Sequence, residues 1–125
     1  MYDYKAKIRR VIDGDTVDVD IDLGFGIWLK DQRIRINGID TPESRTRNLA
    51  EKALGLKAKE RLKELCEGTF RIKSLGKGKY GRILGIPYTA DGEDICQKLI
   101  KEKHAVEYWG GTKTGKILED GTWGE

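Results

Sequence analysis

A chain of 125 residues has room for one domain with a single hydrophobic core and little more. Charged residues make up 36% of it against 38% hydrophobic. That balance excludes a disordered polymer, and no run approaches the ~20 apolar residues of a membrane-spanning helix. The net charge of +3 is too small to announce a polyanionic partner by itself.

Residues 3–12 mix charge with Ala6, Ile8, Val11 and Ile12 and read as a first strand. Asp13-Gly14 signals a tight turn. Val17, Val19, Ile21 and Leu23 then alternate with Asp18, Asp20 and Asp22, which predicts a half-buried strand with a solvated acidic face. Gly24-Phe25-Gly26 turns the chain, and residues 27–39 return as a third strand, with Ile34 and Ile36 alternating against Arg33, Arg35 and Asn37.

That strand runs into Arg35-Ile36-Asn37-Gly38-Ile39-Asp40-Thr41-Pro42-Glu43. Pro42 has no amide hydrogen and disfavours the α conformation at Thr41, so the segment leaves the sheet in an extended, kinked path. A guanidinium suited to phosphate and two carboxylates, suited to a hard cation and to proton transfer, meet at this strand end.

From 46 to 66 the period changes. Ala50, Leu54, Ala58, Leu62 and Leu65 line one helical face, with Gly55 inside the helix at a cost of about 1 kcal/mol relative to Ala. Thr69–Leu75 is a fourth strand, Gly76-Lys77-Gly78-Lys79-Tyr80-Gly81 a basic loop, and Ile83–Tyr88 a fifth strand. A short helix follows from Asp94 to Lys103. Beyond Trp109 the periodicity is lost, so the expected division is a domain over 1–109 and a Gly-rich, mobile tail over 110–125. Three strands, a helix, two strands and a helix is the order of an α+β, five-stranded OB-type Greek-key barrel.

Cys66 and Cys96 lack metal-type spacing and read as two buried free thiols, which points to a reducing compartment. The first residues show no apolar core of a signal peptide, so the expected location is cytoplasmic or undetermined. His104, the only histidine, reads as a surface residue at the exit of the second helix, so zinc and His-based triads have no support.

Asp15 shares the parity of Val17, Val19 and Ile21, so a regular strand would aim its carboxylate inward, an expensive placement unless it is paired or bound to metal. Equally, Asp13 and Asp15 can simply make the turn by bonding to backbone. Asp40 brings a second carboxylate from another strand end. With the Thr41 carbonyl and waters the set would form a hard-oxygen site for Ca²⁺ or Mg²⁺. Arg35 and Arg82 are the candidate phosphate ligands. Glu43 is the carboxylate left over from the cation, placed to act as general base.

Val11-Ile12-Asp13-Gly14-Asp15-Thr16-Val17, the Arg35–Glu43 stretch and Lys79-Tyr80-Gly81-Arg82 together resemble the staphylococcal nuclease (thermonuclease) family over roughly residues 5–109. The resemblance implies a calcium-dependent phosphodiesterase that cleaves DNA and RNA to 3′-phosphate and 5′-hydroxyl ends. It implies Asp15, Asp40 and the Thr41 carbonyl as Ca²⁺ ligands, and Glu43 as the base toward the attacking water. Arg35 and Arg82 would hold the scissile phosphate and stabilise its transition state. Lys79 and Tyr80 match residues near a terminal phosphate, and Tyr108 and Trp109 fall where the family carries a pair of tyrosines that stack on a base. The implied partner is single-stranded nucleic acid, met by a monomer with no membrane association. Two departures stand out: the link from Glu43 to the helix is shorter than in the staphylococcal enzyme, and residues 110–125 show no counterpart of its long C-terminal helix. The alternative from another class is a catalytically inactive OB-type module that binds nucleic acid or protein.

Overall fold

The computed structural model describes residues 2–77 and 83–125. Five strands close into a barrel in the spatial order β1 (Tyr2–Asp13), β2 (Thr16–Asp22), β3 (Trp28–Ile36), β6 (Ile83–Tyr88), β5 (Thr69–Lys77). All neighbours are antiparallel except β3 and β6, which run parallel through Ile34–Ile83, Arg35–Leu84 and Ile36–Gly85 and complete the closure. Helix α1 (Leu49–Leu65) lies between β3 and β5 in sequence and α2 (Ile95–Lys101) follows β6. This is the expected OB-type α+β fold.

The barrel fills from the period-2 face of each strand. Val17, Val19 and Ile21 of β2, Ile34 and Ile36 of β3, and Phe70 and Ile72 of β5 are buried together. Ala58 and Leu62 of α1 and Ile95 and Leu99 of α2 are likewise buried. Asn48 caps α1, its side chain accepting from Glu51 N, so the helix starts three residues later than its apolar period suggests. Cys66 and Cys96 are free and buried, and burial pushes both thiols up to about 12.

Two strand expectations need correction. Residues 27–39 are not one strand: the ladder of β3 stops at Ile36, Gly38 takes φ +90, and β4 (Gly38–Asp40) pairs instead with β7 (Val106–Tyr108). The acidic face of β2 is not simply solvated either. Asp18 is buried, and accepts from Arg10 Nε at 2.6 Å and from Arg33 Nε at 2.8 Å. Arginines on both flanking strands cover it.

Residues 110–125, expected as a tail, carry a small hairpin, β8 (Lys116–Ile117) against β9 (Trp123–Gly124), with Trp123 buried. An indole repays docking because its ring is large and its N–H can be satisfied at the same time. Among the described residues no helix is long and apolar enough to cross a membrane.

Candidate active site

The end of the barrel where β2 begins and β3 ends collects the residues singled out above. Ile36 N–H donates to Asp15 O at 2.8 Å, and Asn37 N–H to Gly85 O at 3.0 Å, so the Asp15 turn, the end of β3 and strand β6 are stitched to one another. Here β4 leaves the barrel and aims Asp40 and Thr41 back toward Asp15.

Asp15 is 8% exposed, and its carboxylate spans the junction. Oδ2 accepts from Thr41 N–H at 3.3 Å and Oδ1 from Thr16 Oγ1 at 3.1 Å. Asp13 turns the other way: its Oδ1 accepts from both the N–H and the hydroxyl of Ser44. The two acids of Asp13-Gly14-Asp15 therefore divide: Asp13 anchors the loop after Pro42, and Asp15 faces the site.

Arg35 is held by carbonyls. Nη1 donates to Ile36 O at 2.6 Å, and Nη2 to Ile39 O at 3.0 Å. Nη2 also lies 3.6 Å from Asp15 Oδ2, a loose ion pair in a largely buried setting. The guanidinium is thereby held at the strand end by backbone carbonyls, which is preorganisation of the kind phosphate recognition exploits.

Asp40 is buried, and that burial is the main reason its carboxyl sits above the ordinary aspartate range. Lys113 pulls it down, the Asp15 charge pushes it up, and Arg35 lowers it more weakly. Two carboxylates that feel each other in a desolvated corner suit a hard cation. Thr41 Oγ1 is buried beside them with no hydrogen-bond partner among the described residues, an orphaned oxygen that a water bound to such an ion would satisfy. No three His, Cys, Asp or Glu side chains gather into a cation cage among the described residues. An ion here would take Asp15, Asp40 and the Thr41 carbonyl, and water for the rest.

Glu43 follows Pro42 on the same loop. Its side chain is exposed, while its N–H donates to Glu51 Oε2 at 3.0 Å, tying the loop to the first turn of α1. Tyr108 and Trp109 reach the site through β7, because Gly38 pairs with Tyr108. The Trp109 ring lies over Gly38 and is 73% exposed; Tyr108 is half-buried, its hydroxyl donating to Gly111 O at 2.8 Å. Lys79, Tyr80 and Arg82 lie outside the described residues.

The structure thus brings together Asp15, Arg35, Asp40 and Thr41, with Glu43 two residues beyond Thr41 on the same loop. Three contributors carried no sequence signal that marked them: Ser44, which fixes the loop, and Lys113 and Trp123, which approach Asp40 from the C-terminal segment.

Comparison with known proteins identifies relatives of this chain. The family described as staphylococcal nuclease homologue matches residues 33–118. An uncharacterized endonuclease of Escherichia coli is 32% identical over 107 residues, 85% of this chain and 62% of that protein. A thermonuclease of Staphylococcus intermedius is 36% identical over 98 residues, 76% of this chain and 54% of its own. A micrococcal nuclease of Shigella flexneri is 33% identical over 90 residues, 69% of this chain and 43% of its own. The chain therefore spans about 43–62% of the length of these relatives. The matched segment covers more than half of the chain and includes Arg35, Asp40, Thr41 and Glu43, and the chain belongs to the staphylococcal nuclease homologue family.

Proposed function

We propose that this chain is a calcium-dependent nuclease that hydrolyses phosphodiester bonds of DNA and RNA, working as a monomer on single-stranded substrate. The observation that carries the reading is the convergence of Asp15, Arg35, Asp40 and Thr41 on one barrel end, with Glu43 on the adjoining loop. The reaction is placed on residues 1–109, with 110–125 as an accessory segment.

Ca²⁺ held by the carboxylates of Asp15 and Asp40 and the carbonyl of Thr41 would supply charge neutralisation beside the scissile phosphate. Arg35 and Arg82 bind non-bridging oxygens of that phosphate. Glu43 takes a proton from a water as its oxygen attacks phosphorus. The bond from phosphorus to the 5′-oxygen breaks, that oxygen gains a proton, and the products are a 3′-phosphate and a 5′-hydroxyl. Each guanidinium aimed at the phosphorane is worth about 3–4 kcal/mol of barrier. Lys79 and Tyr80 steady a neighbouring phosphate. Tyr108 and the exposed Trp109 ring offer stacking to an unpaired base, which is what favours single strands over duplex.

Incubating denatured DNA and RNA with the protein in Ca²⁺ or in chelator tests this directly. Cleavage that needs Ca²⁺ and leaves 3′-phosphate ends is the expected result. Binding without cleavage at any Ca²⁺ concentration would instead make the chain a catalytically inactive OB-type module.

A further inference from the structure

The candidate cation site has a wall that the barrel does not supply. Lys113 places its ammonium 3.5 Å from Asp40 Oδ1 and 6.0 Å from the centre of the Tyr108 ring. The Asp40 side chain is 5% exposed and that of Lys113 55%, so the ammonium reaches the buried carboxylate from the solvent side. The segment that follows it is docked on Asp40 and closed on itself. Trp123 Nε1–H donates to the Asp40 carbonyl at 3.2 Å, and Thr114 Oγ1 to Glu125 Oε2 at 2.7 Å. A Cβ on Gly115 would stand 2.5 Å from the Trp123 ring and 2.9 Å from Asp40 Oδ2. The chain crosses Asp40 because residue 115 has no side chain, and Lys113 sits two residues from that crossing.

An ammonium and a hard dication compete for the same carboxylate oxygens. The formal charges of Asp15 and Asp40 are already met by those of Arg35 and Lys113. Adding a divalent ion leaves a surplus of positive charge that expels the more weakly held cation. Arg35 is bonded to the carbonyls of Ile36 and Ile39, whereas among the described residues Lys113 holds one long ion pair and a distant ring contact on an exposed, flexible stem.

We infer that Lys113 sets the cation affinity of this site: a tethered ammonium that neutralises Asp40 in the cation-free protein and is released when a divalent cation binds. The inference rests on the reading of Asp15 and Asp40 as cation ligands. It makes the C-terminal segment part of the site and gives the protein a threshold of cation concentration that the barrel alone would not have.

Calorimetric titration with Ca²⁺, in the absence of nucleic acid, compares the full chain with Lys113→Gln and Lys113→Arg. Removing the charge at Lys113→Gln is expected to tighten Ca²⁺ binding about threefold or more, the scale of a half-exposed ion pair, with Lys113→Arg staying near the parent. In protein carrying ¹³C-dimethylated lysines, the Lys113 resonance, assigned by its loss in Lys113→Arg, is expected to shift as Ca²⁺ saturates. Parent binding with Lys113→Gln unchanged or weaker would overturn the inference and leave the cation site standing, as would a Lys113 resonance indifferent to Ca²⁺. Failure of all three proteins to bind Ca²⁺ would overturn both the inference and the cation reading beneath it.

Discussion

Gly55 lies against the backbone of Glu43. A Cβ on Gly55 would stand 2.5 Å from both the carbonyl carbon and oxygen of Glu43, and 2.6 Å from Ser44 N. The glycine that weakens α1 by propensity is what lets the loop carrying Glu43 rest on the helix. Gly55→Ala offers the helix about 1 kcal/mol, but overpacking against backbone costs about 1–3 kcal/mol. The expected outcome is a lower melting temperature by calorimetry and a fall in turnover on denatured DNA, because the loop must move. A more stable variant with full turnover would show that loop and helix separate without consequence.

Glu43 itself does little for the fold. Its side chain is exposed, and among the described residues the loop is held by the backbone N–H of Glu43 and by Ser44, not by the carboxylate. Glu43→Gln keeps shape and removes the proposed base, so turnover is expected to fall by about 10²–10⁴-fold. The melting temperature should stay that of the parent. Steady-state kinetics on a short single-stranded oligonucleotide checks this, and near-normal turnover would take the proton-transfer role away from Glu43.

Arg35 offers a sharper substitution. Lysine preserves the charge but cannot reproduce a planar fork that bonds both the Ile36 and Ile39 carbonyls beside the proposed phosphate position. Arg35→Lys is expected to lower turnover by about 10²–10³-fold, the loss typical of one transition-state donor. If charge alone mattered, cleavage rates of Arg35→Lys and the parent would coincide.

Much of this arrangement was legible in the sequence because it is local. The parity of Val17, Val19 and Ile21 fixes the inner face of β2, and Pro42 forces the turn that separates Asp40 from Glu43. The rest depends on contacts between distant residues, which leave no periodic trace. Trp123 meets Asp40 across 83 positions, in a segment whose glycines suggest only looseness. The steric reason for Gly55 lies in a loop that comes before the helix. The division of labour between Asp13 and Asp15 rests on a serine 31 residues beyond Asp13.

Asp18 shows the same limit and yields a pH-dependent prediction. Alternation put it on the outer face of β2, and it lies there, but the register sets Arg10 and Arg33 on either side of it. The bonds to Arg33 are the largest influence on its carboxyl, which they hold below the ordinary aspartate range against the opposing effect of burial, with Arg10 adding to the lowering. A carboxyl whose pKa is lower in the folded state contributes stability that is whole above the unfolded value of about 3.9, and is lost as pH falls through the folded one. Asp18→Asn removes that contribution and leaves two guanidiniums facing each other. Both arginines are more than half exposed, so the loss at neutral pH is expected near the low end of about 1.5–3 kcal/mol for charged hydrogen bonds. Urea denaturation of parent and variant measures it at neutral pH and again in steps below pH ~4, where the gap between them should shrink as Asp18 protonates. A gap that stayed constant into strong acid would mean that Asp18 stabilises the barrel by packing and not by its charge.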